Sequence, residues 1–147
     1  MSFGKFSIFT LLAIFLLGTQ PVVAQDKPYK EGTVWNVTLI KVKPGMLDVY
    51  LRDLGSARKK LMDEAKKQGL IVSDRMFIGS ASSREDWDVM FMVEYKNWAA
   101  LDGLSDKFDA LALKIVGSEE KQVQMMTKRT EVREIVGDKM LQEITLK

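Results

Sequence analysis

Glu85, Asp86 and Asp88 are the densest group of carboxylates in this chain, and such a group has the chemistry to hold a hard cation such as calcium or magnesium. Their spacing lacks the regular ligand loop of an EF-hand, however, and a turn feeding a strand is a common place for solvated acids, so no metal site is expected there. The chain contains no His and no Cys. Histidine is the usual neutral-pH base, zinc ligand and haem ligand, and cysteine the usual thiolate. Their absence excludes Ser-His-Asp and Cys-His catalysis, histidine-ligated haem, ordinary zinc sites, a disulfide framework and a lipid-modified N-terminal Cys. No cofactor is expected.

Lys5 precedes an apolar run over residues 8–17, and Val22 and Ala24 are small side chains three and one positions before a cleavage point. Together they read as a secretory signal peptide over residues 1–24 with cleavage after Ala24, so the mature chain operates in the periplasm or outside the cell. An apolar run of this length falls short of the roughly 20 residues that cross a bilayer, and nothing later spans, so no membrane association is expected after cleavage. About 123 residues then remain, with 21 of the 22 basic residues set against 20 acids. Basic and acidic residues are interspersed, which argues against the concentrated basic patch that nucleic acid requires. A chain of this size supports one core without staples.

After a polar leader over residues 25–32, Val34, Trp35, Val37, Leu39, Ile40 and Val42 mark a strand over residues 33–43, stopped by Pro44-Gly45. Leu47, Tyr50, Leu51, Leu54, Ala57, Leu61 and Ala65 then recur every three or four positions, which predicts one helix over residues 46–68 ended by Gly69. Residues 70–78 and 87–95 read as strands joined by a polar turn, close enough to pair as a hairpin. Asn97 caps a second helix whose buried stripe is Trp98, Leu101, Leu104, Phe108, Leu111 and Ile115, ending near Gly117. Residues 118–136 predict a further, largely exposed charged helix broken by Gly137, and residues 140–146 a short closing strand.

This order is the split βαβ arrangement of ferredoxin-like folds: an α+β domain, β-α-β-β-α-(α)-β, over residues 33–147, with a four-stranded antiparallel sheet and helices on one face. The third strand is apolar on both sides, with Val89, Phe91 and Val93 on one and Met90 and Met92 on the other. Its second side therefore needs cover, and the sheet of an identical subunit in a symmetric homodimer supplies it economically. Among the strand polar residues, Asn36 and Thr38 share one side of the first strand, Ser73 and Arg75 one side of the second, and Glu94 sits among the methionines of the third. Arg75 and Glu94 are expected to form an ion pair between neighbouring strands, with capture of an anionic ligand by Arg75 as the functional alternative.

Lys41-Val42-Lys43-Pro44-Gly45 before a helix bearing Tyr50, then Gly69-Leu70, Trp87 with Glu94-Tyr95, and Trp98 opening the second helix give the chain a resemblance to the dimeric α+β barrel superfamily. In that superfamily two ferredoxin-like subunits join their sheets into a barrel, and its members include cofactor-free monooxygenases, haem enzymes and stress-response proteins. The haem branch depends on a His that is absent here. The resemblance implies a ligand cleft between helices and sheet, for which Trp35, Tyr50, Arg75, Trp87, Phe91, Trp98 and Phe108 are the candidate lining residues, with Asn36, Thr38 and Glu94 as polar candidates on the sheet. Aromatic walls with a few polar groups suit a small apolar or planar molecule, although large aromatics at these periodicities more often simply pack. A small-molecule-binding homodimer is thus the first expectation. A cofactor-independent monooxygenase-like enzyme, with Trp87, Asn36 or Tyr50 orienting the substrate, is the second. An interaction module using the charged segment 118–136 is the third.

Overall fold

The computed structural model describes residues 26–147, so the signal peptide and its cleavage point lie outside the described residues. β1 (Tyr29–Val42) begins inside the stretch read from sequence as a polar leader, because Tyr29 and Glu31 pair with Leu146 and Ile144 at the far end of the chain. It ends where Pro44 lacks a donor and Gly45 takes φ 76°, a left-handed value that glycine tolerates. The single helix expected over residues 46–68 is two helices, α1 (Leu47–Ser56) and α2 (Arg58–Lys67). The break at Ala57 (φ −113°, ψ −46°) follows the Gly55-Ser56 pair, where the Ser56 hydroxyl donates to the Asp53 carbonyl at 2.7 Å. Gly69 (φ 70°) closes α2 as expected, with Gly69 N–H donating to the Lys66 carbonyl and Leu70 N–H to that of Ala65.

β2 (Ser73–Ile78) and β3 (Val89–Tyr95) form the expected hairpin, both starting a few residues later than the pattern predicts. Asn97 does cap, its side chain accepting from Ala100 N–H at 3.0 Å, but only a 3-10 turn follows (Trp98–Leu101). Asp102 is extended and Gly103 left-handed (φ 62°), so α3 starts afresh and runs over Leu104–Val116. Ser118 caps α4 (Glu119–Val132), a helix without buried residues, as the charged sequence suggests.

Gly137 does not break that helix, and the closing strand is far longer than residues 140–146. β4 (Arg133–Leu146) starts directly after α4 because the β1 ladder captures it: Arg133 is already opposite Val42, and the Val132 carbonyl accepts from Lys43 N–H at 2.9 Å. Gly137 lies within β4 beside a bulge at Val136, since Leu39 faces Gly137 and Ile40 faces Ile135. A Cβ there would stand 3.3 Å from Leu39 Cδ1.

The four strands are antiparallel in the order β2-β3-β1-β4, the ferredoxin-like topology expected from the element order. Register assigns the two faces. Val34, Ile40, Val42, Val89, Phe91 and Val93 are buried on the helix side, and all but Val34 fall in two clusters that close around Tyr50 and Leu54 of α1 and around Ala65 of α2 with Leu111 of α3. Trp35, Val37, Leu39, Met90 and Met92 share the other face, all half-buried, beside Phe77, which is 42% exposed. One close approach limits the hairpin: Gly79 lies against the Trp87 ring, and a Cβ there would fall 2.9 Å from Cζ3. Gly79→Ala is therefore expected to lower the unfolding free energy by about 1–3 kcal/mol in a urea titration, because neither the ring nor the strand end yields easily.

Candidate functional site

The bend between α1 and α2 leaves the helix layer incompletely closed over the sheet. A cavity of about 330 Å³ fills the gap, floored by Ile40 of β1 and Phe91 of β3, walled by Leu54, Leu61 and Met62, and flanked on the α4 side by Met125 and Met126. Ala57, the residue at the break, also lines it, and the break starts α2 at Arg58, which faces the cavity. Arg58 binds Asp74 of β2 through two nitrogens, at 2.8 and 2.6 Å, and its guanidinium stands 4.2 Å from the centre of the Phe91 ring. Arg129 of α4 donates from Nε to Asp53 of α1 at 2.7 Å, tying the outer helix to the inner one.

Arg133, at the junction of α4 and β4, is the third guanidinium on the cavity wall. Its Nε is buried without a hydrogen-bond partner, and among the described residues it has no carboxylate partner. Tyr50 is 1% exposed and faces the same space. Burial pushes its phenol up from 10.0, opposed by the positive charges of Arg133, Arg129 and Arg58, in that order. The phenol is thus a neutral hydrogen-bonding group at ordinary pH and not a base. The arrangement sets apolar walls beside cationic groups and the hydroxyls of Thr38 and Tyr50.

Of the aromatic and basic residues expected at a cleft, Tyr50 and Phe91 line this one, joined by Thr38 from the polar set. Trp35 and Arg75 are together on the opposite face of the sheet, the guanidinium 5.4 Å from the indole ring. The expected Arg75 to Glu94 ion pair does not form: Glu94 accepts from the Ser73 hydroxyl at 2.6 Å, and Arg75 is opposite Met92 and reaches across to Trp35. Trp87 belongs to the β2–β3 connection, and Phe108 packs against the second core cluster. Trp98 is 49% exposed, its Nε1 donating to Gln142 Oε1. Asn36 Nδ2 (2.9 Å) and the Thr38 hydroxyl (2.7 Å) both donate to Asp138 of β4. Of the three residues expected to orient a monooxygenase substrate, only Tyr50 reaches the cleft.

Arg58, Arg129 and Arg133 are the site residues that sequence reasoning missed. Arg58 lies four residues after Leu54 and three before Leu61, within the apolar stripe that helical spacing predicts, and a lone cation on that face is the signal that could have found it. Arg129 and Arg133 are four apart with Met125 and Met126 just before them, a signal for one mixed apolar and basic helix face that the high charge of residues 118–136 masks by suggesting an exposed helix. Two of the three acids at residues 85–88 accept hydrogen bonds that hold the turn and the strand end. Asp86 accepts from Ser82 N–H (2.8 Å), the Ser82 hydroxyl (2.9 Å) and Trp87 N–H (2.9 Å), bonds that hold its carboxyl below the usual range, while Asp88 accepts from Val42 N–H at 2.7 Å. Among the described residues no three acidic side chains converge on a common point.

No protein-family model and no curated protein sequence matches the chain. Among solved structures it is similar to HapK from Hahella chejuensis, with 10% identity over 75% of this chain and 91% of that one and a TM-score of 0.49. It is also similar to a dimeric protein of unknown function and ferredoxin-like fold from Bacteroides fragilis, with 13% identity over 79% of this chain and 97% of that one and a TM-score of 0.38.

Two measurements test the electrostatics of the site. Removing Asp74 strands Arg58, whose pair is mostly hidden from water (15% and 14% side-chain exposure). Asp74→Ala is therefore expected to cost about 3 kcal/mol, whereas Asp53→Ala, whose carboxylate is the more exposed, costs about 1 kcal/mol, both read by denaturant unfolding. The Tyr50 phenol has its folded pKa raised above 10.0, so the unfolded chain gives up that proton first. Stability from this group is intact below pH 10 and falls as the pH climbs from there through the folded pKa. Tyr95, raised mainly by burial, adds to the same fall. Tyr50→Phe should flatten the decline in a series of alkaline melts, and an unaltered slope would contradict the assignment.

Proposed function

We propose that this chain is an exported homodimeric domain that binds a small apolar or aromatic molecule in the cleft between its helices and its sheet. The observation that carries the reading is the 330 Å³ cavity under the helix layer, apolar in its walls and served by a few polar groups. That is the composition of small-molecule sites, at the lower end of their usual size. The absence of His and Cys, together with a phenol kept protonated by burial, favours binding over catalysis.

Export rests on the signal-peptide pattern of residues 1–24. Dimerisation rests on the sheet face opposite the helices. Trp35, Val37, Leu39, Met90, Met92 and Phe77 form a contiguous apolar area there, which a second copy of the same face would cover by symmetry.

Each part has its own measurement. The protein recovered from an exporting host should begin at Gln25 by intact mass. Light scattering should give twice the mass of the mature chain, and Met92→Glu, which places a charge in the joined faces, should halve it; a monomeric wild type would defeat the dimer. A thermal-shift screen across lipids, quinones and aromatics should find stabilising ligands. At a hundredfold excess over Kd, such a ligand adds about 2.7 kcal/mol of stability, and Leu54→Trp, which fills the cavity, should abolish the shift.

A further inference from the structure

Three guanidiniums face the cleft, and they are not equivalent. Arg58 and Arg129 each have a carboxylate of their own, Asp74 and Asp53, at ion-pair distance. Arg133 has none among the described residues, and its Nε is shut off from water with no acceptor. A guanidinium cannot shed its proton to relieve that condition, and a buried donor left unmet costs free energy. That Nε is closed to the cavity too, so what the wall offers a ligand is the rest of a guanidinium that has no carboxylate of its own.

Resting on the reading of this cleft as a small-molecule site, we propose that Arg133 anchors the head group of a monoanionic amphiphile, a carboxylate carried on an apolar chain or ring. The planar fork of the guanidinium matches a carboxylate through paired charge-assisted hydrogen bonds. The Tyr50 hydroxyl, a neutral neighbour of Arg133, adds a second donor. Charge selects the class: three cations and two carboxylates leave one positive charge over, which a monoanion neutralises. A phosphate monoester, at about −1.5 to −2 near neutral pH, overshoots it. The apolar body has Leu54, Met62, Phe91, Met125 and Met126 to lie against. At roughly 30 Å³ for each water-sized unit the cavity takes about ten heavy atoms, the size of an eight-carbon acid.

Octanoate and octan-1-ol share an apolar body and differ in the charge of the head, so calorimetric titration of the mature protein with each isolates the anchor. Octanoate is expected to bind at least tenfold more tightly, and Arg133→Gln to erase that preference while leaving octan-1-ol affinity unchanged. If Arg133→Gln does not fold, the wild-type ratio decides alone. Binding of octan-1-ol with no preference for octanoate overturns the anchor and leaves the cleft reading intact, as does a preference that survives in folded Arg133→Gln. Failure of both ligands, with wild type and Leu54→Trp giving the same blank trace, overturns the cleft reading and the anchor together.

Discussion

Ile40, Val89 and Phe91 sit side by side on the helix-facing side of the two central strands, and hiding them from water is the constraint from which the rest of the molecule follows. Tyr50 and Leu54 of α1 meet them directly. A straight continuation of α1 would keep the helix layer in one line along the sheet. The break at Ala57 instead divides the layer between two clusters, α1 over the first and α2 with α3 over the second. Burial of two separate patches by one bent helical segment is what opens the space between them. The cavity is thus a consequence of the same packing that makes the core, and α4, crossing from α3 to β4, flanks it.

Electrostatics then stabilises the opening. Arg58 is carried to the bend by the start of α2, where it both stacks on Phe91 and clasps Asp74 on the edge strand. The pair therefore links helix layer to sheet at the place where apolar packing is thinnest. Arg129 with Asp53 does the same between α4 and α1. In a half-buried setting such pairs gain less from attraction than they lose when either partner is removed, so their value here lies in fixing geometry. The third guanidinium, Arg133, is fixed by backbone instead, at the first rung of the β1–β4 ladder.

The two faces of the sheet carry different chemistry for a reason that register makes plain. Side chains alternate along β1, so Asn36 and Thr38 turn toward the helices while Trp35 and Val37 turn away, and their cross-strand partners follow. Aromatic identity alone cannot tell these faces apart. Trp35 and Arg75 were grouped with Tyr50 by residue type, yet the pleat assigns them to the face beyond the sheet, where they stack on each other. Glu94 shares that face, but Ser73 is its direct partner across the strand pair, and the shorter reach prevails.

Everything that depends on neighbours in the chain follows from residue order. The order of elements, the stops at Pro44-Gly45, Gly69 and Gly117, the Asn97 cap and the two-sided apolar character of β3 all rest on local periodicity and backbone preference, and they are legible residue by residue. The exclusion of His- and Cys-dependent chemistry needs no structure at all. Everything that depends on pairing across the chain emerges only on folding. β4 starts at Arg133 because β1 is there to receive it; helical spacing and the Gly137 signal both lose to a hydrogen-bonded ladder formed with residues about ninety positions away. The cationic half of the site was hidden for the same reason. In a linear reading Arg129 and Arg133 belong to an exposed charged helix and Arg58 is a lone cation on an apolar helix face, and they become a binding wall only when a bent helix, a crossing helix and a strand end are brought together by burial of a core that contains none of them.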